Sequence, residues 1–245
     1  MHLKAYRAWD LPVRLFHWVN FLSVVTLVFL GLVMLYKKEL GITGDEARIA
    51  LKEVHVIVGY LFALNLLWRI VWGFVGGPRV RWRQLLPGKG YVAELRRYLV
   101  SARAGHPPQY LGHNPLGRLA VSFIFLLLTV LALSGLVRAA TDIYYPPLGS
   151  FAAAYVARPG VDPAQLRPYA AEGVDEQRMA ALKAFKGPFG TTHKYAAYLL
   201  MAMILLHVFF VVRSEVREGG ALVSAMINGR KVLKEAPVDE EVHRG

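Results

Sequence analysis

The sequence predicts an all-α integral membrane protein, a four-helix bundle in up-down-up-down order with a long outer loop between helices 3 and 4. Hydrophobic residues make up 55% of the 245-residue chain and charged residues only 19%, a composition typical of small membrane proteins. Four stretches of about 20 apolar residues are each long enough to cross a bilayer. The chain has no cysteine, which excludes disulfides, iron–sulfur clusters, thiolate zinc sites and covalently attached haem.

The predicted helices cover residues 15–36, 54–75, 117–138 and 192–213. The first apolar run is too long for a cleavable signal and no small-residue cleavage site precedes Lys37, so we expect it to remain as a helix. The third run contains Ser122 and Ser134 as its polar interior residues and no histidine. We therefore expect the third helix to complete the bundle without supplying a histidine ligand.

The basic residues predict the orientation of the chain in the membrane. The net charge is +12, and in a membrane protein such an excess indicates topology rather than nucleic-acid binding. The segment 74–118 carries eight Arg or Lys and one acid, Glu94, which predicts a cytoplasmic loop. With four crossings, both termini are then cytoplasmic. The loop 139–190 and its flanking Arg138 together carry six basic and five acidic residues, and we expect this loop on the outer side.

Two histidines lie fourteen residues apart, His193 and His207, within one apolar run. Fourteen helical residues advance about 21 Å and return to nearly the same face. Because ionisable side chains inside a membrane are costly, they indicate a functional site with partners at matching depths. His17 and His55 each begin another apolar run. Four such histidines are what two bis-histidine, non-covalent b-type haems require.

The predicted topology pairs the four histidines by depth. His55 enters the second helix and His193 the fourth from the outer side, whereas His17 begins the first helix from the inner side and His207 lies deeper in the fourth. We therefore expect His55 with His193 to hold the iron of an outer haem, and His17 with His207 that of an inner haem.

Three further residues are candidates for cofactor binding. Gly31 lies fourteen residues after His17, where it would let a porphyrin edge approach the backbone or serve ordinary helix packing. Arg69 lies fourteen residues after His55 and could pair with a propionate or extend to the membrane interface. Arg14 is a second propionate candidate or a positive-inside anchor. We assign no catalytic residue.

The segments outside the apolar runs give weaker predictions. The motif GHNPLGR predicts that Asn114 caps the third helix and that Pro115 is its first residue. The spacing of residues 175–185 predicts a short surface helix within the outer loop, which would act as a docking platform or as a lid. The charged tail from Glu235 onward is predicted to be disordered.

Several ordered motifs resemble one known family. The opening AWDLPVRLFHWVN, the loop GHNPLGR, the paired histidines of the fourth helix and the ending REGGALVSAMINGRK are similar to the bacterial cytochrome b561 family, which includes the cytochrome b subunits of nickel–iron hydrogenases. The resemblance covers nearly the whole chain. It implies a single membrane cytochrome b domain with two b-type haems, ligated by His17, His55, His193 and His207. The outer loop is longer than in the smallest members, which favours a partner-coupled role.

The function expected from these features is electron transfer in the bacterial inner membrane, between the quinone pool and a periplasmic partner such as a c-type cytochrome, a dehydrogenase or a hydrogenase. One alternative is a stand-alone quinone oxidoreductase that takes electrons from a small molecule such as superoxide. A second alternative is a non-redox transporter or scaffold. The surface that one bundle exposes to lipid leaves room for a homodimer.

Overall fold

Helices make up most of this protein. The computed structural model describes residues 4–218 and 222–240, except for the side chains of residues 217 and 218. In chain order, the elements are β1 (Lys4–Arg7), α1 (Leu11–Leu35), α2 (Asp45–Val75), α3 (Trp82–Leu85), α4 (Tyr91–Arg103), α5 (Pro115–Ile143), α6 (Gly149–Val156), α7 (Glu176–Glu218), α8 (Leu222–Asn228) and β2 (Arg230–Leu233).

Four of these helices, α1, α2, α5 and α7, are long and apolar enough to cross a membrane. Many of their large apolar side chains are exposed; Phe29 is 63% exposed and Leu205 is 73% exposed. Such surfaces are stable against lipid rather than water. The prediction of an all-α membrane protein with four spans is confirmed, and the chain is a multi-pass membrane protein.

The helices extend beyond the predicted apolar runs. Helix α2 begins at Asp45 rather than at residue 54, and α5 ends at Ile143 rather than at residue 138. Hydropathy marks only the bilayer-length part of a helix, whereas backbone hydrogen bonding continues into turns of mixed composition. The predicted bounds were therefore too short at these ends.

The predicted outer loop at 139–190 was too long for the same reason. Helix α7 begins at Glu176, so the surface helix expected at 175–185 exists but is continuous with the fourth span. Pro188 lies inside this helix. The remaining connection contains α6, whose Ala153 and Val156 pack in one buried cluster with Leu182 of α7. This apolar contact explains why the helix starts so early.

The chain divides into two compact units. Unit 1 comprises Met1–Asn20, Asn65–Leu126 and Leu200–Gly245, and unit 2 comprises Phe21–Leu64 and Leu127–Leu199. The four long helices each contribute to both units, since their residues fall partly in one set of ranges and partly in the other. The short helices α3, α4 and α8 and both strands belong to unit 1, whereas α6 belongs to unit 2.

In unit 1, the two ends of the chain are joined in a small sheet. Strands β1 and β2 pair antiparallel, with Lys4 opposite Leu233 and Arg7 opposite Arg230. The loop before α5 is held by the segment that follows β2, because the Asp239 carboxylate accepts from the backbone N–H groups of Leu111 at 2.7 Å and of Gly112 at 2.9 Å.

The disorder predicted from Glu235 onward is therefore wrong for residues 235–240. Their backbone is fixed by contacts with a segment more than 120 residues away in sequence, and composition alone does not reveal such contacts. Residues 241–245 of the predicted tail lie outside the described part of the chain.

The helix cap predicted in GHNPLGR is present. The Asn114 side-chain oxygen accepts from the backbone N–H of Gly117 at 2.7 Å, and Pro115 is the first residue of α5. The hydroxyl of Tyr91, in α4, donates to the Pro115 carbonyl at 2.8 Å. The basic segment before α5 is thus a folded part of unit 1 rather than a plain loop.

Asp239→Asn should loosen the attachment of the segment that follows β2. An amide offers one oxygen where the carboxylate uses two, so one of two backbone donors loses its partner, at a cost of about 1–3 kcal/mol. Thermal unfolding of the purified protein in detergent should show a lower midpoint. Glu235→Gln removes a charge from an exposed residue of the same segment, and a midpoint equally low in that variant would contradict the assigned role of Asp239.

Candidate cofactor sites

In unit 2, the imidazole rings of His55 and His193 face each other. Their ring centres are 6.3 Å apart and the ring planes are 68° apart. Two nitrogen–metal bonds of about 2 Å, with each ring nitrogen about 1.2 Å from its ring centre, give a separation of about 6.4 Å. The rings are thus spaced to share one metal ion as axial ligands. The Nδ1 atom of His55 is buried and has no hydrogen-bond partner among the described residues.

The ring of His193 is oriented by Ser134 of α5. The Ser134 hydroxyl donates to the backbone carbonyl of Val130 at 2.6 Å, and its oxygen lies 3.0 Å from His193 Nδ1. Because the hydroxyl proton is already used, the ring N–H is the donor in the second contact, which leaves Nε2 as the nitrogen with a free lone pair. This is the arrangement in which a histidine binds a metal through Nε2.

Three glycines of unit 2 differ in the space beside them. A Cβ atom added to Gly135 would lie 3.3 Å from Cε1 of His193, whereas one added to Gly31 or Gly59 would meet nothing within 4 Å. Gly135 therefore lets the His193 ring pack closely against α5. Gly59 lies one helical turn after His55. The open space beside Gly31 and Gly59 is what a flat cofactor edge needs.

An ion network lies near the same pair. The Asp142 carboxylate accepts from Lys52 at 2.9 Å, from Lys186 at 2.7 Å and from Arg138 at 2.5 Å. The Asp142 side chain is only 8% exposed. These residues belong to α2, α5 and α7, so one carboxylate connects the three helices that carry His55, Ser134 and His193.

In unit 1, His17 of α1 lies close enough to His207 of α7 for the two rings to interact electrostatically. The Nδ1 atom of His17 is buried without a hydrogen-bond partner in the described structure. The Asn65 amide of α2 donates to the carbonyl of Phe16 at 3.0 Å, which attaches α2 to α1 next to His17. This pair is the second candidate site.

Arg69 also belongs to unit 1 and is only 5% exposed. Its guanidinium lies over the rings of Trp82 at 4.8 Å and Phe125 at 5.5 Å. Nη2 donates to the Val80 carbonyl at 3.0 Å, but the buried Nη1 has no partner among the described residues. Arg69 also lines a cavity of about 260 Å³ together with His113. A buried cation with a free donor favours an anionic ligand at this point.

Arg14 has a different environment. Its Nη1 donates to the backbone carbonyl of Ile227, near the end of α8, and the neighbouring Trp18 donates to the carbonyl of Met226 at 3.0 Å. Both contacts satisfy carbonyls at the C-terminal end of a helix, where a cation is also favoured by the helix dipole. Arg14 therefore has a structural role, and its predicted propionate contact is not tested by these interactions.

His113 was not among the predicted site residues, although it lies near His207. It is buried against the Trp9 ring, with 5.0 Å between ring centres. Burial, assisted by the nearby charge of Lys231, lowers the pKa of His113 to about 3. The ring is therefore neutral at physiological pH. The motif GHNPLGR was interpreted as a helix cap on the basis of Asn114 and Pro115, and no sequence pattern indicated the contact of His113 with Trp9.

Each site offers two imidazoles rather than a full set of metal ligands. Within residues 4–218 and 222–240, no group of three or more His, Cys, Asp or Glu side chains could hold a metal ion. Two imidazoles are sufficient where a macrocycle supplies the four equatorial ligands, as in bis-histidine haem. The His55–His193 spacing fits that group.

Comparison with known proteins identifies the family to which this chain belongs. Residues 8–229 match the family model described as prokaryotic cytochrome b561. The chain belongs to this family. It is a membrane cytochrome b, a haem b protein of membrane electron transport, and the resemblance of its sequence motifs is confirmed.

The similar proteins match along almost their whole length. One from Cupriavidus necator is 26% identical, with 95% of this chain and 89% of that protein covered, and one from Azotobacter vinelandii is 27% identical, with 93% and 88% covered. Both are named probable Ni/Fe-hydrogenase B-type cytochrome subunits. A protein from Escherichia coli K12, named a probable Ni/Fe-hydrogenase 1 B-type cytochrome subunit, is 22% identical with 95% and 93% covered. No solved structure matches the chain.

Sequence reasoning missed the residues that support His55 and His193. Ser134 was noted only as a polar residue. No local sequence pattern predicts the ion network around Asp142, because Lys52 and Lys186 are 90 and 44 residues from Asp142 in sequence.

Gly135→Ala should displace the His193 ring, because the new Cβ would lie 3.3 Å from it. We expect the haem content per chain to fall, with roughly a tenfold loss of affinity, as for other changes that misorient a metal-binding histidine. The pyridine haemochrome assay measures this. Gly187→Ala adds the same methyl group where nothing lies within 4 Å and should leave haem content unchanged. Equal losses in both variants would contradict the role of Gly135.

Proposed function

We propose that this membrane cytochrome b binds two haem b groups and passes electrons between a redox partner on the periplasmic side and the quinone pool. The observation that carries the proposal is the facing pair of His55 and His193, with ring centres 6.3 Å apart, together with a second pair, His17 and His207, in the other unit. Each haem iron would supply a one-electron couple.

The roles of the side chains follow from their contacts. His55 and His193 would hold one haem and His17 and His207 the other. Ser134 keeps His193 in the tautomer that presents Nε2. Arg69, with its unpartnered donor, would bind a propionate of the haem held by His17 and His207, and the open side of Gly31 would receive the edge of the other haem.

The proposed orientation of the chain in the membrane is inferred from the basic segment 74–118. By the positive-inside rule, this segment and both termini are on the cytoplasmic side of the bacterial inner membrane. The His55–His193 site is then the outer one, because His55 enters α2 from the opposite side. The His17–His207 site is the inner one, nearer to the cytoplasmic face.

One continuous helix supports transfer between the two sites. His193 and His207 both belong to α7, and fourteen residues advance about 21 Å along a helix. One helix would therefore supply a ligand to each of the two haems. The names of the similar proteins favour a nickel–iron hydrogenase as the periplasmic partner over a c-type cytochrome or a direct small-molecule donor.

Replacing the histidines tests the proposal. We expect His55→Ala and His17→Ala each to remove a different component from a redox-titrated visible spectrum, because each variant would lose one of the two histidines that hold a different haem. His106 is exposed in the loop before α5, and His106→Ala should keep both components. A wild-type protein with one haem per chain, or two variants that lose the same component, would overturn the two-haem assignment.

Ser134→Ala tests the tuning of the outer haem. A hydrogen bond from the ring N–H makes imidazole a stronger donor and stabilises oxidised iron. The variant should therefore shift the His55-dependent component to a more positive midpoint potential, while Ser134→Thr, which keeps the oxygen, should stay near the wild-type value. Ser122→Ala on the same helix is the control, since the Ser122 hydroxyl donates to Leu85. An unchanged potential in Ser134→Ala would contradict this role.

A further inference from the structure

The ion network around Asp142 contains more positive than negative charge. Lys52, Arg138 and Lys186 all donate to this one carboxylate, which leaves two positive charges uncompensated within the group. The side chains of the two lysines are only 21% and 22% exposed. Uncompensated charge in partly buried, apolar surroundings is costly, so this cluster is stabilised when further negative charge joins it.

Nearby groups do not remove the surplus. The Lys186 ammonium also donates to the backbone carbonyl of Thr141 at 3.2 Å, and the Lys52 ammonium lies 5.1 Å from the centre of the Tyr169 ring; both partners are uncharged. Glu53 follows Lys52 in sequence and keeps its negative charge, but its carboxylate pairs with the neutral Tyr145 hydroxyl, whereas the ion pairs of Lys52, Arg138 and Lys186 are with Asp142.

The cluster is placed over the His55–His193 pair. Lys52 precedes His55 by three residues on α2, and Lys186 precedes His193 by seven residues on α7, so they lie about one and two turns from the rings on the same faces. Arg138 is close enough to act electrostatically on His193. Gly190 makes space for Arg138, because a Cβ there would overlap its guanidinium.

We propose that Lys52, Arg138 and Lys186, held together by Asp142, form the binding site for the two propionate carboxylates of the haem between His55 and His193. The inference rests on the proposed function and extends it to an anion site that no sequence motif indicates. Two carboxylates carry two negative charges, which balance the surplus. The site draws its cations from the same three helices that carry and orient the ligand histidines.

The burial and arrangement of Asp142 and the three cations favour a haem propionate over an acidic segment of a partner protein as the ligand. The central carboxylate is 8% exposed, and the cations converge on it from three helices rather than spreading over an exposed surface. A docking surface would present its charges to solvent. Occupation by haem carboxylates would also hold the porphyrin edge at a fixed rotation about the axis that joins the two histidines.

The test combines side-chain and cofactor changes. The apoprotein, prepared from haem-deficient cells, is reconstituted with haem b or with haem b dimethyl ester, which lacks the carboxylate charges, for the wild type and for the double variant Lys52→Gln with Lys186→Gln. In the wild type, the ester should bind the His55-dependent site about tenfold more weakly, the effect of losing one good charge-assisted interaction. In the double variant, the two cofactors should bind about equally.

Midpoint potentials give a second readout. With free-acid haem, loss of the two lysines should move the His55-dependent component to a more negative potential, because unbalanced propionate charge stabilises oxidised iron. With the ester, that charge is absent, so part of the shift should disappear. Lys183→Gln, which removes an exposed cation from the same helix α7 ten residues before His193, should leave affinity and potential unchanged.

The outcomes separate this inference from the function on which it rests. An ester effect that is equally large in the wild type and in the double variant would overturn the propionate site and leave the cations to another anion, such as an acidic segment of a partner. Failure of His55→Ala to remove any redox component would instead overturn the haem assignment itself. The His17-dependent component of the same molecules reports whether the double variant is folded.

Discussion

Polar atoms inside the spans must find partners within the protein, because lipid offers none, and the rest of the structure depends on this constraint. The Ser134 hydroxyl bonds to its own helix and to His193, and the Asn65 amide bonds to a backbone carbonyl of α1. Each such bond fixes the position of one helix or ring at a defined depth. Among the described residues, the buried atoms without a hydrogen-bond partner include Nδ1 of His17, Nδ1 of His55 and Nη1 of Arg69.

The two pairs meet this constraint in different ways. Near the His55–His193 pair, three cationic side chains contact the buried carboxylate of Asp142. The hydroxyl of Ser134 accepts a hydrogen bond from the His193 ring. At the His17–His207 pair, Arg69 is buried against the rings of Trp82 and Phe125 and next to a cavity. Because haem potentials depend on hydrogen bonding, nearby charge and burial, two haems bound in such different surroundings would have different potentials. That difference is what transfer in one direction requires.

The sequence was sufficient for features that repeat along one helix or lie within a few residues. The four apolar runs, the fourteen-residue spacing of His193 and His207, and the cap at Asn114 are of this kind. It was not sufficient for contacts between distant segments. The bonds of Asp142 to Lys52 and Lys186 span 90 and 44 residues, and that of Asp239 to Leu111 spans 128. Composition predicts disorder or a loop for such segments because it contains no information about their partners.

Local and distant contacts also control different distances at the two sites. The spacing of His193 and His207 is set by the backbone of a single helix, and fourteen residues at 3.6 per turn return the two rings to within about 40° of the same direction. The approach of His55 to His193 depends instead on packing and ion pairs between different helices. Changes at Gly135 or in the Asp142 network therefore act on one pair without altering the spacing along α7. Each pair of histidines can then be adjusted by its own surroundings, while the spacing of His193 and His207 along α7 stays constant.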